Sequence, residues 1–306
     1  MIETSELAQL AGFLAASVRV ATPLLLAGIG ETVTERSGVI NLGLEGAMLA
    51  GALASAIGAS NAGPWAGVVS AMVAGALVAA VFAACVVFAM VNQIVAGAAV
   101  TLACIGLTGT IYRQTYGAGG VGLSLPTLEQ VALPGLSRLP VVGPAFAQPT
   151  LTYIAVALVP VVWWGLYRTR WGLGLRASGE AGSLARAAGV RVRLLRFWAT
   201  VFGGALGGLA GATLVLAQVG TFTEKMTAGR GYIAIAIVVL GRWHPGGVAL
   251  AALLFGAATA LQFLFQSLGL AVPYQFFLML PYLLTLLALA GVVGTVRAPA
   301  ALAVEE

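Results

Sequence analysis

The sequence predicts an all-α, polytopic bundle of about eight to ten membrane-spanning helices. Three observations predict it. The 306 residues are 60% hydrophobic and only 8% charged, too little charge to cover a water-soluble surface. Apolar runs long enough to cross a ~30 Å hydrocarbon core recur between short polar stretches. Glycine is abundant, with 41 residues, and membrane helices use it for close packing.

In chain order, the apolar runs at 9–29, 46–61, 64–91, 92–112, 150–167, 197–219, 231–243, 246–269 and 274–296 are candidate spans, in one domain covering 1–306. The second and seventh are short, and short glycine-broken spans point to discontinuous helices around a transport path. The acidic start Met1-Ile2-Glu3 lacks the basic region of a cleaved signal peptide, so the first run is expected to stay in the protein. Cys85 and Cys104 lie in apolar runs and read as small buried hydrophobes. The single histidine, His244, has no second ligand nearby in sequence.

Charge orients the bundle. Seven of the fifteen basic residues, Arg168, Arg170, Arg176, Arg186, Arg191, Arg193 and Arg196, fall in one loop and are opposed only by Glu180. The positive-inside rule places that loop in the cytoplasm and disfavours nucleic acid as its partner. Counting from it puts 113–149 outside, as a proline- and glycine-rich loop with a short helix at 126–132. The same count puts 31–45 inside, the N-terminus outside and the C-terminus in the cytoplasm, giving about nine crossings.

The run from Glu31 to Gly46, ETVTERSGVINLGLEG, concentrates charge between two apolar segments. It divides into a charged inner-face turn, Glu31 to Arg36, and a glycine-flanked start to a short helix, Asn41 to Gly46. Thr32-Val33-Thr34-Glu35-Arg36 is echoed by Thr221-Phe222-Thr223-Glu224-Lys225, each ahead of a short span, as inverted repeats would place them. Asn41, Glu45, Asn92 and Gln93 are polar groups at the ends of interrupted spans and are candidates for a translocation path. Amide side chains can equally bond between helices. Gly203, Gly207 and Gly211 stand four apart, a small-residue stripe for packing within the subunit or between subunits.

Within the arginine-rich loop, 179–190 reads as a short helix with a small apolar side. It either tucks against headgroups or docks a cytoplasmic partner. The chain has no Gly-x-x-x-x-Gly-Lys-Ser/Thr loop, so it does not hydrolyse ATP by that route. No span carries the carboxylates expected of a proton relay, and no cofactor or metal is expected in this chain.

Four stretches carry a family resemblance: Glu31 to Gly46; Asn92-Gln93-Ile94-Val95-Ala96-Gly97; Gly229-Arg230-Gly231-Tyr232-Ile233-Ala234-Ile235-Ala236; and Leu280-Pro281-Tyr282-Leu283-Leu284-Thr285. In these the chain resembles permease subunits of bacterial ABC importers of the branched-chain amino acid, ribose and nucleoside superfamily, above all the shorter permease of nucleoside importers. The resemblance implies a type II importer fold and a bacterial inner-membrane location. It implies a second homologous permease, a cytoplasmic ATP-binding subunit that carries the ATP and magnesium, and an extracytoplasmic substrate-binding lipoprotein. It also turns 179–190 into a coupling helix, with Glu180, Leu184, Ala185, Arg186 and Gly189 at the ATPase contact. A simple-sugar importer is the alternative within the class, and a self-sufficient secondary transporter or channel outside it.

Overall fold

The computed structural model describes residues 2–117, 124–139 and 141–267, single positions between 276 and 286, and 298–302. Apart from those single positions, the expected span 274–296 lies outside the described residues. The helices are α1 (Ile2–Arg36), α2 (Leu44–Ala62), α3 (Pro64–Ala83), α4 (Gln93–Tyr116), α5 (Thr150–Arg168), α6 (Arg170–Glu180), α7 (Gly182–Ala187), α8 (Val192–Thr213), α9 (Arg230–Leu240) and α10 (Pro245–Ser267). Among the described residues, six are long and apolar enough to cross a membrane: α1, α3, α4, α5, α8 and α10. α9 is a shorter apolar helix.

Local chemistry sets the ends. Gly63, at φ 87°, closes α2, and Pro64 opens α3 at a position whose N–H would be unpaired anyway. Asn92 caps α4 by accepting from the N–H groups of Ile94 and Val95. Thr169 caps α6 by accepting from Gly172 N at 3.0 Å. π-helical turns follow α3 at Ala84–Phe88 and α8 at Leu214–Val219, the second stopped by left-handed Gly220.

α8 is the axis of the bundle, buried through most of its length and packed on α1, α2 and α3. Its glycines allow this approach. A Cβ on Gly203 would lie 2.9 Å from Gly30 O, and one on Gly207 would lie 2.7 Å from Leu44 Cδ1. Gly204 and Gly208 meet Gly75, Ala71 and Ala79 of α3, and Gly211 meets Met48 of α2. Side chains this small gain from dispersion along the whole contact, the main attraction available between helices in lipid.

Three expectations change. The charged stretch 31–36 is not an inner-face turn: α1 continues through it, and Glu31, Thr32, Thr34 and Glu35 are at most 1% exposed. Arg36 donates to Trp243 O at 2.9 Å and to Tyr167 OH at 3.2 Å rather than pairing with either glutamate. The segment 126–132 is not a helix. It is extended, and Gln130–Ala132 pairs antiparallel with Ala147–Pro149 as β1 and β2. The helix expected over 179–190 is only Gly182–Ala187, because Gly179 and Glu180 end α6 and Gly189 turns left-handed at φ 83°.

Candidate functional site at the meeting of two broken helices

α4 serves as a ruler of depth. At one end Gln93 Oε1 accepts from Ile40 N at 2.8 Å. Arg196 donates to Ser37 O at 3.1 Å and to Ser178 O at 3.2 Å, so this is also the arginine-rich end. From there 37–43 climbs along α4. Leu42 O accepts from Thr101 Oγ1 at 3.3 Å, and Gly46 packs on Thr101 and Cys104. Eight to eleven residues at ~1.5 Å each put the start of α2 about 12–17 Å from Gln93, half-way across a ~30 Å core. The stretch 37–43 therefore turns back into the bundle after α1, and α2 begins inside it. α2 then runs to the far end, where Ser60 Oγ lies 3.4 Å from Tyr116 OH.

The stretch after α8 enters from the opposite side. Glu224 forms an ion pair with Arg113, about 30 Å along α4 from Gln93, with Arg113 Nε to Oε1 at 2.8 Å. Phe222 stacks at a tilt on Tyr112, centroids 5.2 Å apart. The chain then drops to the start of α9. α9 runs back toward the arginine-rich end, where Trp243 Nε1 donates to Glu35 Oε2. α2 and α9 thus begin at one depth and point in opposite directions.

Glu45 joins them. Its Oε1 accepts from Thr227 Oγ1 at 2.6 Å and Gly229 N at 2.8 Å, and its Oε2 accepts from Gly231 N at 2.7 Å. The positive N-terminal end of α9 and these three donors explain how a carboxylate that is 6% exposed is tolerated at this depth. Gly231 is small because a Cβ there would stand 2.6 Å from Glu45 N.

Asn41 sits beside this junction, fully buried. Its backbone N–H donates to Glu31 Oε1 at 2.8 Å, while neither side-chain polar atom has a partner among the described residues. Glu31 Oε2 and Glu35 Oε1 are also unpartnered. Buried polar atoms are nearly always bonded, so these groups mark a polar spot inside the bundle.

The structure spreads Gln93, Asn41 and Glu45 along the first break, Gln93 at its base and Glu45 where it meets α9, and places Asn92, exposed, as the cap of α4. In the arginine-rich loop Leu184 is 71% exposed, Glu180 and Arg186 are exposed and Ala185 is buried. Sequence reasoning missed Thr227, Tyr167 and Trp243, which contact Glu35, Arg36 and Glu45 around the first break from 131 to 208 residues away. It also passed over Arg19, the one charge inside the first apolar run, whose buried Nε has no partner among the described residues and whose carbonyl accepts from Gln218 Nε2 at 2.8 Å. A lone arginine in an apolar run was a readable signal. Among the described residues no cluster of three His, Cys, Asp or Glu side chains could hold a metal.

A polytopic helical protein in which two discontinuous helices meet at mid-depth has the architecture of a membrane permease. The chain belongs to the family described as the branched-chain amino acid transport system permease component, whose model matches residues 13–289. It is 42% identical to TsgC13 of Haloferax volcanii, provisionally named a glucose ABC transporter permease protein, over 85% of this chain and 80% of that one. It is 35% identical to the guanosine ABC transporter permease protein NupQ of Bacillus subtilis, and 32% identical to the nucleoside ABC transporter permease protein NupC of Lactococcus lactis. Each covers 92% of both chains. No solved structure matches the chain.

Proposed function

We propose that this chain is the membrane permease subunit of an importer that carries nucleosides inward and draws its energy from ATP hydrolysed on separate subunits. The observation that carries the transport reading is the meeting of α2 and α9 at Glu45, since opposed helix ends create a polar locus inside an apolar bundle. Similarity to guanosine and nucleoside permeases over nearly the whole chain supports the solute class. The chain carries out no chemistry on the solute. Asn41 forms the polar wall of the inner half of the path, with Gln93 holding the backbone at Ile40 and Glu45 holding the start of α9, and Asn92 caps the end of α4.

The positive-inside rule puts the arginine-rich end and the C-terminus in the cytoplasm of a bacterial inner membrane. There α7, with the exposed Leu184 at its tip, docks the ATP-binding subunit, with Glu180, Arg186 and the Gly189 turn around it. Contacts lead from there to the first break: Gly179 packs on Arg36 and Gly38, and Arg196 ties Ser178 to Ser37. Movement of α6 and α7 is thus passed to the base of the re-entrant segment. A second homologous permease completes the path, and an extracytoplasmic lipoprotein delivers the solute. A sugar importer is the second reading, favoured by the 42% identity to TsgC13.

The test is reconstitution of the chain with a homologous permease, an ATP-binding subunit and a substrate-binding lipoprotein from the same genome. ATP-dependent guanosine uptake is expected, with glucose as the competing solute. Uptake by the chain alone without ATP would sink the proposal. Leu184→Arg is expected to abolish solute-stimulated ATP hydrolysis while the protein still inserts.

A further inference from the structure

A cleft of about 280 Å³ opens at the arginine-rich end, between the π-helical turn after α3, the base of the first break and the start of α8. Its floor is apolar, made by the buried side chains of Val39, Val87 and Val192. Arg186, Arg193 and Arg196, with Gln93, form the polar side, and among the described residues no acidic side chain lines it. Met90 and Val91 form the opposite lip, 55% and 40% exposed.

The surroundings say what would fill it. Apolar exposure continues outward from the lip through Phe88, Ile94 and Val95, and from the arginine side through Leu194 and Trp198. Exposed side chains of this kind on membrane-crossing helices face acyl chains. The cleft is therefore open to lipid on one side and ringed by guanidinium groups at headgroup depth on the other. Guanidinium groups match phosphate oxygens in geometry and charge. Basic pockets between membrane helices on the cytoplasmic side suit anionic headgroups.

We propose that this cleft binds the phosphodiester headgroup of an anionic phospholipid, with the acyl chains running over the Phe88–Val95 surface. The placement of this end in the inner leaflet rests on the proposed topology. Arg196 would give the lipid a mechanical role, because it lines the cleft while holding Ser37 at the base of the re-entrant segment and Ser178 at the end of α6. A headgroup seated there braces the contact through which α6 and α7 act on the first break.

The experiment uses the full chain purified in detergent and titrated with phosphatidylglycerol, phosphatidylcholine or soluble glycerophosphoglycerol. Bound lipid is counted by native mass spectrometry. Phosphatidylglycerol should bind in preference to phosphatidylcholine. Arg193→Gln should weaken it about fivefold, the factor matching one arginine near a charged headgroup. Arg193→Lys should keep most of the affinity, and Arg170→Gln, on the same face but outside the cleft, should change nothing. Equal binding of phosphatidylcholine, or no effect of Arg193→Gln, overturns the proposal. Glycerophosphoglycerol binding as tightly as the lipid overturns the membrane source in favour of a free phosphate ester. Uptake measurements are not involved, so failure of the importer reading gives a different result. Adding the ATP-binding subunit is the last arm: retention of the lipid supports the site, and its displacement assigns the surface to that partner.

Discussion

The two breaks reach the same depth from opposite sides, yet they are built differently. The first, from Arg36 to Leu44, is almost wholly buried and lies tightly on α4, where a Cβ on Gly97 would stand 3.0 Å from Gly43 N. Its one left-handed residue is Gly38, at φ 95°. The second, from Gly220 to Gly229, leaves Thr223, Glu224, Lys225 and Ala228 exposed. It carries two non-glycine residues in the left-handed region, Lys225 at φ 59° and Ala228 at φ 48°. Its fastenings among the described residues are mostly polar: the ion pair to Arg113, Glu45, the bond from Leu125 N to Gly220 O and those from Arg230 to Met226 O and Thr227 O, with Phe222 on Tyr112 as the apolar contact. Packing holds the first break and a handful of polar contacts hold the second. In a moving permease the second is the part that can change with least loss of contact.

Removing Glu45 should break this comparison most severely. Glu45→Ala leaves Thr227 Oγ1 and the N–H groups of Gly229 and Gly231 without their acceptor at mid-depth. At about 1–3 kcal/mol for each buried donor, the loss is on the order of 3–5 kcal/mol. Thermal unfolding of the purified protein should show a large fall in Tm, and proteolysis should cut first within 220–229. Glu45→Gln keeps one carbonyl acceptor and should lie between. Cleavage in 37–43 instead would mean that the first break, not the second, depends on this contact.

Much of this was legible in the sequence. Apolar length placed the six long helices, and the shortness of 46–61 and 231–243 marked α2 and α9. Glycine spacing at Gly203, Gly207 and Gly211 marked the face on which α8 packs. The environment of Glu31 and Glu35 was not legible. Charge in a short window reads as solvent, and these carboxylates are enclosed by Asn41, ten positions from Glu31, and Trp243, 208 residues from Glu35. Nothing local encodes such a contact. The strands β1 and β2 were hidden for another reason: three residues each give no alternation to read. The repeat of Thr32–Arg36 at Thr221–Lys225 does not extend to local structure, since the first is helical and the second is not. The two copies share only the helix that each precedes, which starts at mid-depth in both cases.

A middle-sized effect sharpens the contrast in backbone strain. A non-glycine residue in the left-handed region costs roughly 1–2 kcal/mol, and glycine returns about 0.5–1 kcal/mol of that through the freedom of the unfolded chain. Ala228→Gly should therefore stabilise the protein by about 0.5–1 kcal/mol, seen as a modest rise in Tm. Gly38→Ala should do the reverse and more, because its Cβ would also stand 3.2 Å from Arg196 Nη2 and 3.3 Å from Ala301 Cβ. Equal and opposite shifts would mean that both breaks are held with the same slack.

The smallest effect concerns the exposed ion pair. The hydrogen bonds from Arg113 hold the Glu224 carboxyl below the usual carboxylate range. A carboxylate whose pKa is depressed in the folded state adds stability above its unfolded pKa and loses it as pH falls through the folded value. The contribution should be complete at neutral pH and fade only in acid below the ordinary carboxylate pKa. Both side chains are well exposed, 61% for Arg113 and 37% for Glu224, so water and salt screen the pair and the effect should be smaller than that of Ala228→Gly. Glu224→Gln should lower Tm slightly at neutral pH and not at all in acid or at high salt. A large, salt-independent fall would show that Glu224 fastens the second break by more than this ion pair, and the two breaks would then be alike in kind.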